Sequence, residues 1–203
     1  MATTASETTN IYEYGVKAIL LAFASSDAKA TNNYEVPTQI YGPTELKIAL
    51  STSQDTLYAG DGVWDVINSV SSATLTVKYY QTIAKAVRRR MLGHKVDANG
   101  IGYMTNIPNP EEYALGAIFE GKAQNYLRWF YRVKAIDPDE DRTTTGEKIE
   151  AVENEMSMLA TPKVLGDEKI ICSDPIGSVD DKAVFDTYLS SVYVAAATTT
   201  ALS

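Results

Sequence analysis

Chemistry needs companions, and the groups best suited to it in this chain stand alone. His94 is the only imidazole and Cys172 the only thiol in 203 residues. A nucleophilic thiol wants a base or cation beside it. A structural zinc wants four Cys or His ligands. Neither set exists here, so His94 reads as a loop residue after a helix end and Cys172 as a packed residue on a strand. One cysteine also excludes an intrachain disulfide, which fits folding in a reducing compartment.

The carboxylates are more numerous. Asp137, Asp139, Glu140 and Asp141 form an acidic run around Pro138, followed at intervals by Glu147, Glu150, Glu153 and Glu155. A calcium loop would need alternating ligands, a glycine at its bend and a closing Glu. The bend glycine is missing and Arg142 follows directly, so the run reads as a solvated loop or a contact to a basic patch on another subunit. Nothing in the sequence selects a carboxylate pair of the kind that cleaves glycosides. Arg88, Arg89 and Arg90 are three consecutive cations, which on a helix fan out around the axis instead of forming one phosphate-binding patch. Gly60-Asp61-Gly62 lacks the further glycine and following helix of a dinucleotide fingerprint, and neither Gly-Lys-Ser/Thr nor Gly-x-Ser-x-Gly occurs. No catalytic residue, cofactor or metal is expected, and the chain is not expected to be an enzyme.

The elements that carry these residues are mostly strands. Leu46, Ile48 and Leu50 alternate with polar or small residues, as do Leu75 and Val77, and Met156, Met158 and Ala160. In Leu127–Lys134, Leu127, Trp129, Tyr131 and Val133 are expected on one face, with Arg128, Phe130, Arg132 and Lys134 on the other: a half-buried strand. The apolar run Ala18–Ala24 suits a buried strand and is far short of the ~20 residues a membrane helix needs. Two segments have helical spacing. Gln81–Leu92 places Ile83, Ala84, Val87 and Met91 on one side, with Gly93 as its stop. Ser178–Asp181 resembles a capping box leading into Ala183, Val184, Tyr188 and Leu189. Ser25–Thr38 is expected to be a long loop and Asn68–Ser72 a hairpin turn. The pattern predicts a mainly β fold, two packed antiparallel sheets as a sandwich or barrel with one flanking α-helix. It also predicts one domain over 1–203, with a folded core of about 14–190 between a flexible N-terminal arm and C-terminal tail.

A formal charge of −8 argues against gripping nucleic acid through its phosphates, and is compatible with letting nucleic acid pass. Residues 1–10 have neither a basic nor an apolar stretch, so no export leader is expected. Thirteen Tyr against four Phe suits half-buried strands, or surfaces that become covered on assembly.

Several short features occur in an order that resembles the major tail proteins of long-tailed, non-contractile bacteriophages. These are Tyr14-Gly15-Val16-Lys17, then Pro37-Thr38-Gln39-Ile40-Tyr41-Gly42 before the strand Thr44–Ser51, then Leu57-Tyr58-Ala59-Gly60-Asp61-Gly62. Met91-Leu92-Gly93-His94 and Asp97-Ala98-Asn99-Gly100-Ile101 follow, with Ala114-Leu115-Gly116, the strand Trp129–Val133 and Thr144-Thr145-Gly146-Glu147 after them. The family pattern often has Asp-Asn where this chain has Gly60-Asp61-Gly62. The resemblance implies a virion tail protein, assembled in the host cytoplasm, whose six-membered rings stack into a tube through which DNA leaves the capsid without specific binding. It implies tape-measure, terminator and distal tail proteins as partners, and no membrane. Head-to-tail contacts that close make rings, and ring faces that do not close make filaments. Candidate inter-subunit contacts are Arg88, Arg89 and Arg90 against Asp137, Asp139, Glu140 and Asp141. The alternatives are a tail terminator or secretion-tube-like ring protein, a carbohydrate-binding β-sandwich, and, least supported, a small hydrolase.

Overall fold

The run Ala18–Phe23 is buried along its whole length because it lies inside a sheet covered on both faces. The computed structural model describes residues 13–25, 33–59, 62–80, 83–136, 153–165 and 168–194. In chain order its elements are β1 (Glu13–Phe23), β2 (Thr38–Ile40), β3 (Pro43–Ala59), β4 (Gly62–Tyr79), α1 (Lys85–Leu92), β5 (Lys95–Val96), β6 (Gly102–Tyr103), β7 (Tyr113–Gly121), β8 (Tyr126–Ala135), β9 (Asn154–Ala160), β10 (Lys163–Leu165), β11 (Glu168–Ile170), β12 (Ile176–Gly177) and α2 (Lys182–Leu189). The fold is mainly β, as the alternation predicts.

One antiparallel sheet runs β2-β1-β7-β8-β9-β4-β3, with β12 paired to β8; β5-β6 and β10-β11 are two small ribbons. β1 and β3, near opposite ends of the large sheet, touch each other. The sheet therefore curls, and the two expected layers are parts of a single continuous sheet. Its main core gathers Ile19, Leu21 and Phe23 of β1, Leu75 and Val77 of β4, Leu115 of β7, Phe130 and Val133 of β8, Met156 and Met158 of β9, and Met91 and Leu92 of α1. A second core on the opposite face of β1, β7 and β8 holds Ala18, Leu20, Ile118, Leu127, Trp129 and Tyr131 under Ile176 of β12 and Phe185 of α2. Strands covered on both sides lose the polar half of their alternation. That is why β1 reads as an unbroken apolar run while β4 and β9 alternate.

β8 departs from the expected half-buried pattern. Arg132 adopts φ 44°, and the β7 register slips between Tyr113↔Val133 and Leu115↔Phe130. This extra residue is a bulge, and it moves Val133 and Ala135 onto the face of Phe130, away from Leu127, Trp129 and Tyr131. Gly116 of β7 sits opposite Trp129, and a Cβ there would lie 2.9 Å from the indole. A glycine is what lets the ring lie flat against the neighbouring strand.

Other expectations shift in detail. α1 begins at Lys85, later than the predicted Gln81, with buried Ile83 just ahead of it. Gly93 ends it as expected, with φ 71° and its N–H toward Arg90 O, while His94 N–H reaches Arg89 O at 2.9 Å. A second helix, α2, does form, but without the capping box. Ser178 Oγ instead accepts from Asn125 N–H at 2.9 Å, and no side chain caps the helix at Asp181. Its inward residues are Phe185 and Tyr188, while Val184 and Leu189 face outward. Thr38 opens β2 and is no longer loop. Asn68–Ser72, predicted as a turn, lies within β4. Residues 1–12 and 195–203, the predicted mobile ends, lie outside the described residues.

Candidate assembly surface

β3 and β4 pair from Pro43↔Tyr79 out to Ala59↔Gly62, a far longer ribbon than the body beneath it. β9 supports β4 only from Ala73 to Tyr79. Beyond that point Ser51–Leu57 and Trp64–Ser71 are exposed residue after residue. The two strands project as a hairpin arm. Its strand β3 is also the edge of the sheet, with no strand paired to its outer side among the described residues.

Register fixes the two faces of the arm. Thr52↔Val70, Gln54↔Asn68 and Thr56↔Val66 share one face; Ser53↔Ser69, Asp55↔Ile67 and Leu57↔Asp65 share the other, and Trp64 is an extra residue where the register shifts from Leu57↔Asp65 to Tyr58↔Val63. The first face carries no charge and exposes Val66 and Val70, and the bulge near its far end exposes Trp64 at 77%. The second carries Asp55, Asp65, exposed Leu57 and Ile67, and two serines whose hydroxyls meet at 2.7 Å. The register also explains why the turn was misread. Ser51 pairs with Ser72 and Thr52 with Val70, so Ser71 is an extra residue on β4, and its Oγ donates to Ser51 O at 3.2 Å. Through this bulge the uncharged face, on even-numbered β4 positions, continues the core face formed by odd-numbered Ala73, Leu75, Val77 and Tyr79. The main core's apolar surface thus runs outward past the end of the body.

The predicted contact cations divide as their helical spacing requires. Arg90 is engaged inside the subunit: its Nη2 lies 2.8 Å from Glu35 Oε1 and 2.7 Å from Glu111 Oε2, with its guanidinium carbon 3.9 Å from the centre of the Phe23 ring. The hydrogen bonds from Arg90 hold the Glu35 carboxyl below its usual range. Arg89 Nη2 donates to Gly100 O at 3.0 Å, and Arg88 lies near the Tyr79 phenol. The three do not form one patch. Asp137, Asp139, Glu140 and Asp141 lie outside the described residues.

Cys172 bridges to Phe130 beside the main core, half-buried, and burial pushes its thiol pKa up. It lines a cavity of about 440 Å³ with Tyr131, Asp174, Asp181 and Tyr193; His94, which follows α1, is not among the lining residues. A second cleft of about 220 Å³, lined by Leu21, Ile40, Ile83 and Val87, is largely apolar. Among the described residues no group of three or more His, Cys, Asp or Glu could hold a metal ion, and no helix is long and apolar enough to cross a membrane. Trp129 and Tyr131 are fully buried, as their strand position suggests.

Sequence reasoning missed the arm because its serines and Asn68 look like a turn; the signal that could have revealed it is the alternation Trp64, Val66. The chain matches no protein-family model and no curated protein.

Proposed function

We propose that this chain is the structural subunit of a non-contractile phage tail tube, forming six-membered rings that stack into a hollow conduit for DNA. The observation that carries the reading is the arm: a long edge strand, an uncharged face bearing Val66 and Val70, and Trp64 exposed at the bulge, none of them covered by the described residues. A two-stranded ribbon is marginal on its own in water, and a long open edge invites pairing with another chain. Identical copies that cover the apolar face and extend the edge remove both liabilities at once. The order of motifs that resembles major tail proteins supports the same assignment. The acidic balance of −8 and the Asp55/Asp65 face suit a bore that repels phosphate and does not retain it. Tape-measure, terminator and distal tail proteins are its expected partners, and the work is structural, not catalytic.

Negative-stain microscopy of the purified full chain tests this. Long hollow tubes are the expected result, and Trp64→Asp with Val66→Asp should leave folded subunits that no longer form them. Single rings that never stack would favour a terminator-like role. Monomers that bind sugars would favour the carbohydrate reading, for which Trp64 is an exposed aromatic but Trp129 and Tyr131 are buried. Monomers with neither property overturn the proposal.

A further inference from the structure

Around Arg90, Lys182 and Lys78 the carboxylates equal or outnumber the cations. Arg90 has Glu35 and Glu111, Lys182 has Asp186, and Lys78 has Glu45 with Glu153 and Glu155 nearby. At Glu112 the balance reverses. Glu112 Oε1 lies 3.4 Å from Arg132 Nε and 3.6 Å from Lys134 Nζ, and Lys163 feels the same carboxylate. Both contacts are long for ion pairs that share one oxygen. Lys163 Nζ donates instead to the Tyr34 phenol oxygen at 2.8 Å and lies 4.4 Å from the centre of its ring.

The backbone is shaped to bring these groups together. Arg132 is the only non-glycine residue with positive φ among the described residues. That conformation is disfavoured for a side chain with a Cβ, and such residues cluster at sites of function. It is held by Thr161, whose N–H donates to Arg132 O at 3.1 Å, two residues before Lys163. The bulge places Arg132 and Lys134 side by side on the face away from the main core, next to Glu112 just before β7 and Lys163 at the start of β10. Burial and the Arg132 charge lower the pKa of Lys163, and burial pushes the Tyr34 phenol up to about 12. Both groups would gain from a partner: an anion beside the ammonium, an acceptor for the phenol proton.

We infer that Arg132, Lys134, Lys163 and Tyr34 form a receptor for a carboxylate side chain supplied by a second copy of this chain. The four groups present three cationic heads and a hydroxyl around a single loosely held internal carboxylate, so a second carboxylate enters without leaving a buried charge unpaired. A copy of this chain is the occupant because its acids exceed its bases by 26 to 18. The inference rests on the tube reading for why copies meet at all. It also differs from the expected pairing through Arg88–Arg90, since Arg90 is already engaged by two carboxylates.

The test is zero-length carbodiimide crosslinking of an equal mixture of heavy-nitrogen-labelled and unlabelled full-length protein, read by mass spectrometry. The expected result is mixed-isotope peptides joining Lys134 or Lys163 to an Asp or Glu of the other copy. Links from these lysines only to Glu112 or to other carboxylates of the same copy overturn the inference. The variant Lys134→Gln/Lys163→Gln should lose the mixed links and raise the protein concentration needed for assembly by roughly tenfold or more. Its circular dichroism and melting should match the parent. An unchanged assembly concentration also overturns the inference. Tubes without mixed links sink the receptor and spare the tube; mixed links in closed dimers do the reverse; the absence of both sinks both.

Discussion

The two tryptophans sit in opposite worlds on strands of one sheet. Trp129 is at 0% exposure between β7 and α2; Trp64 is at 77% on the arm. β4 makes the contrast sharper, because it crosses from one regime to the other within a single strand. From Ala73 to Tyr79 every second side chain is buried, while from Trp64 to Ser71 none is. The core face continues across that boundary through Val70 and Val66, with its phase corrected by one bulged serine. Val66 and Val70 are thus spaced as for burial with the core, while Leu57 and Ile67 add apolar area on the other face, and no described residue buries any of them. The lesson is that hydrophobic periodicity reports a surface meant to be covered, and the cover can belong to another molecule.

The largest effect that could break this comparison is in the body. Trp129→Ala should cost ~3–5 kcal/mol in urea unfolding, through lost burial and the cavity it leaves. A cost below ~1 kcal/mol would mean that the second core is not what holds β8 and α2 together. Gly93→Ala should cost more than ~1 kcal/mol, because the residue sits at φ 71° and a Cβ would lie 2.4 Å from the Asn109 carbonyl carbon. A neutral result would show that the end of α1 is free to move, unlike the rest of the body.

A smaller effect comes from the Arg90 clamp, whose side chains are more than a third exposed and whose strength solvent therefore screens. Arg90→Met should cost about 1 kcal/mol at neutral pH. Because Glu35 is held below its ordinary range, the folded protein binds that proton less readily than the unfolded chain. The stabilisation is complete above about pH 5 and drains away as pH falls through the depressed value. Glu35→Gln should flatten this acid limb in melting experiments, and an unchanged slope would place the acid sensitivity elsewhere.

The smallest expected change is on the arm itself. Trp64→Ala should alter subunit stability by less than ~0.5 kcal/mol while reducing assembly. Trp64 fluorescence should be open to iodide quenching in monomers and shielded in assemblies. A large loss of monomer stability would mean that the arm folds back on its own subunit, and the comparison would fail.

Much of the body was legible from sequence. Leu75 and Val77, and Met156 and Met158, alternate as their burial requires, and Gly93 marks the end of α1. The misreadings within the strands share one physical cause. A bulge shifts parity by one residue, and strict alternation has no means to represent that. Ser71 made β4 look broken, and Arg132 made Val133 seem to face Trp129. The α2 stripe was misplaced because covering half a sheet takes only Phe185 and Tyr188, too few to set a period. The cluster around Glu112 was not legible at all. Residues 112, 132, 134 and 163 become neighbours only through the pairing of β7 with β8 and the bond from Thr161 to Arg132. For the candidate surface, the acidic run is legible as a segment, whereas the engagement of Arg90 by Glu35 and Glu111, 55 and 21 residues away in sequence, depends on tertiary folding.

The continuity of β4 has a mechanical consequence. A pull on the arm along its axis reaches the body as shear, loading every rung between β4 and β9 from Ala73 to Tyr79 at the same time. Rungs loaded together resist as a group, whereas rungs peeled from one end yield singly. A lever rooted this way transmits tension into the sheet without first unzipping its own anchor.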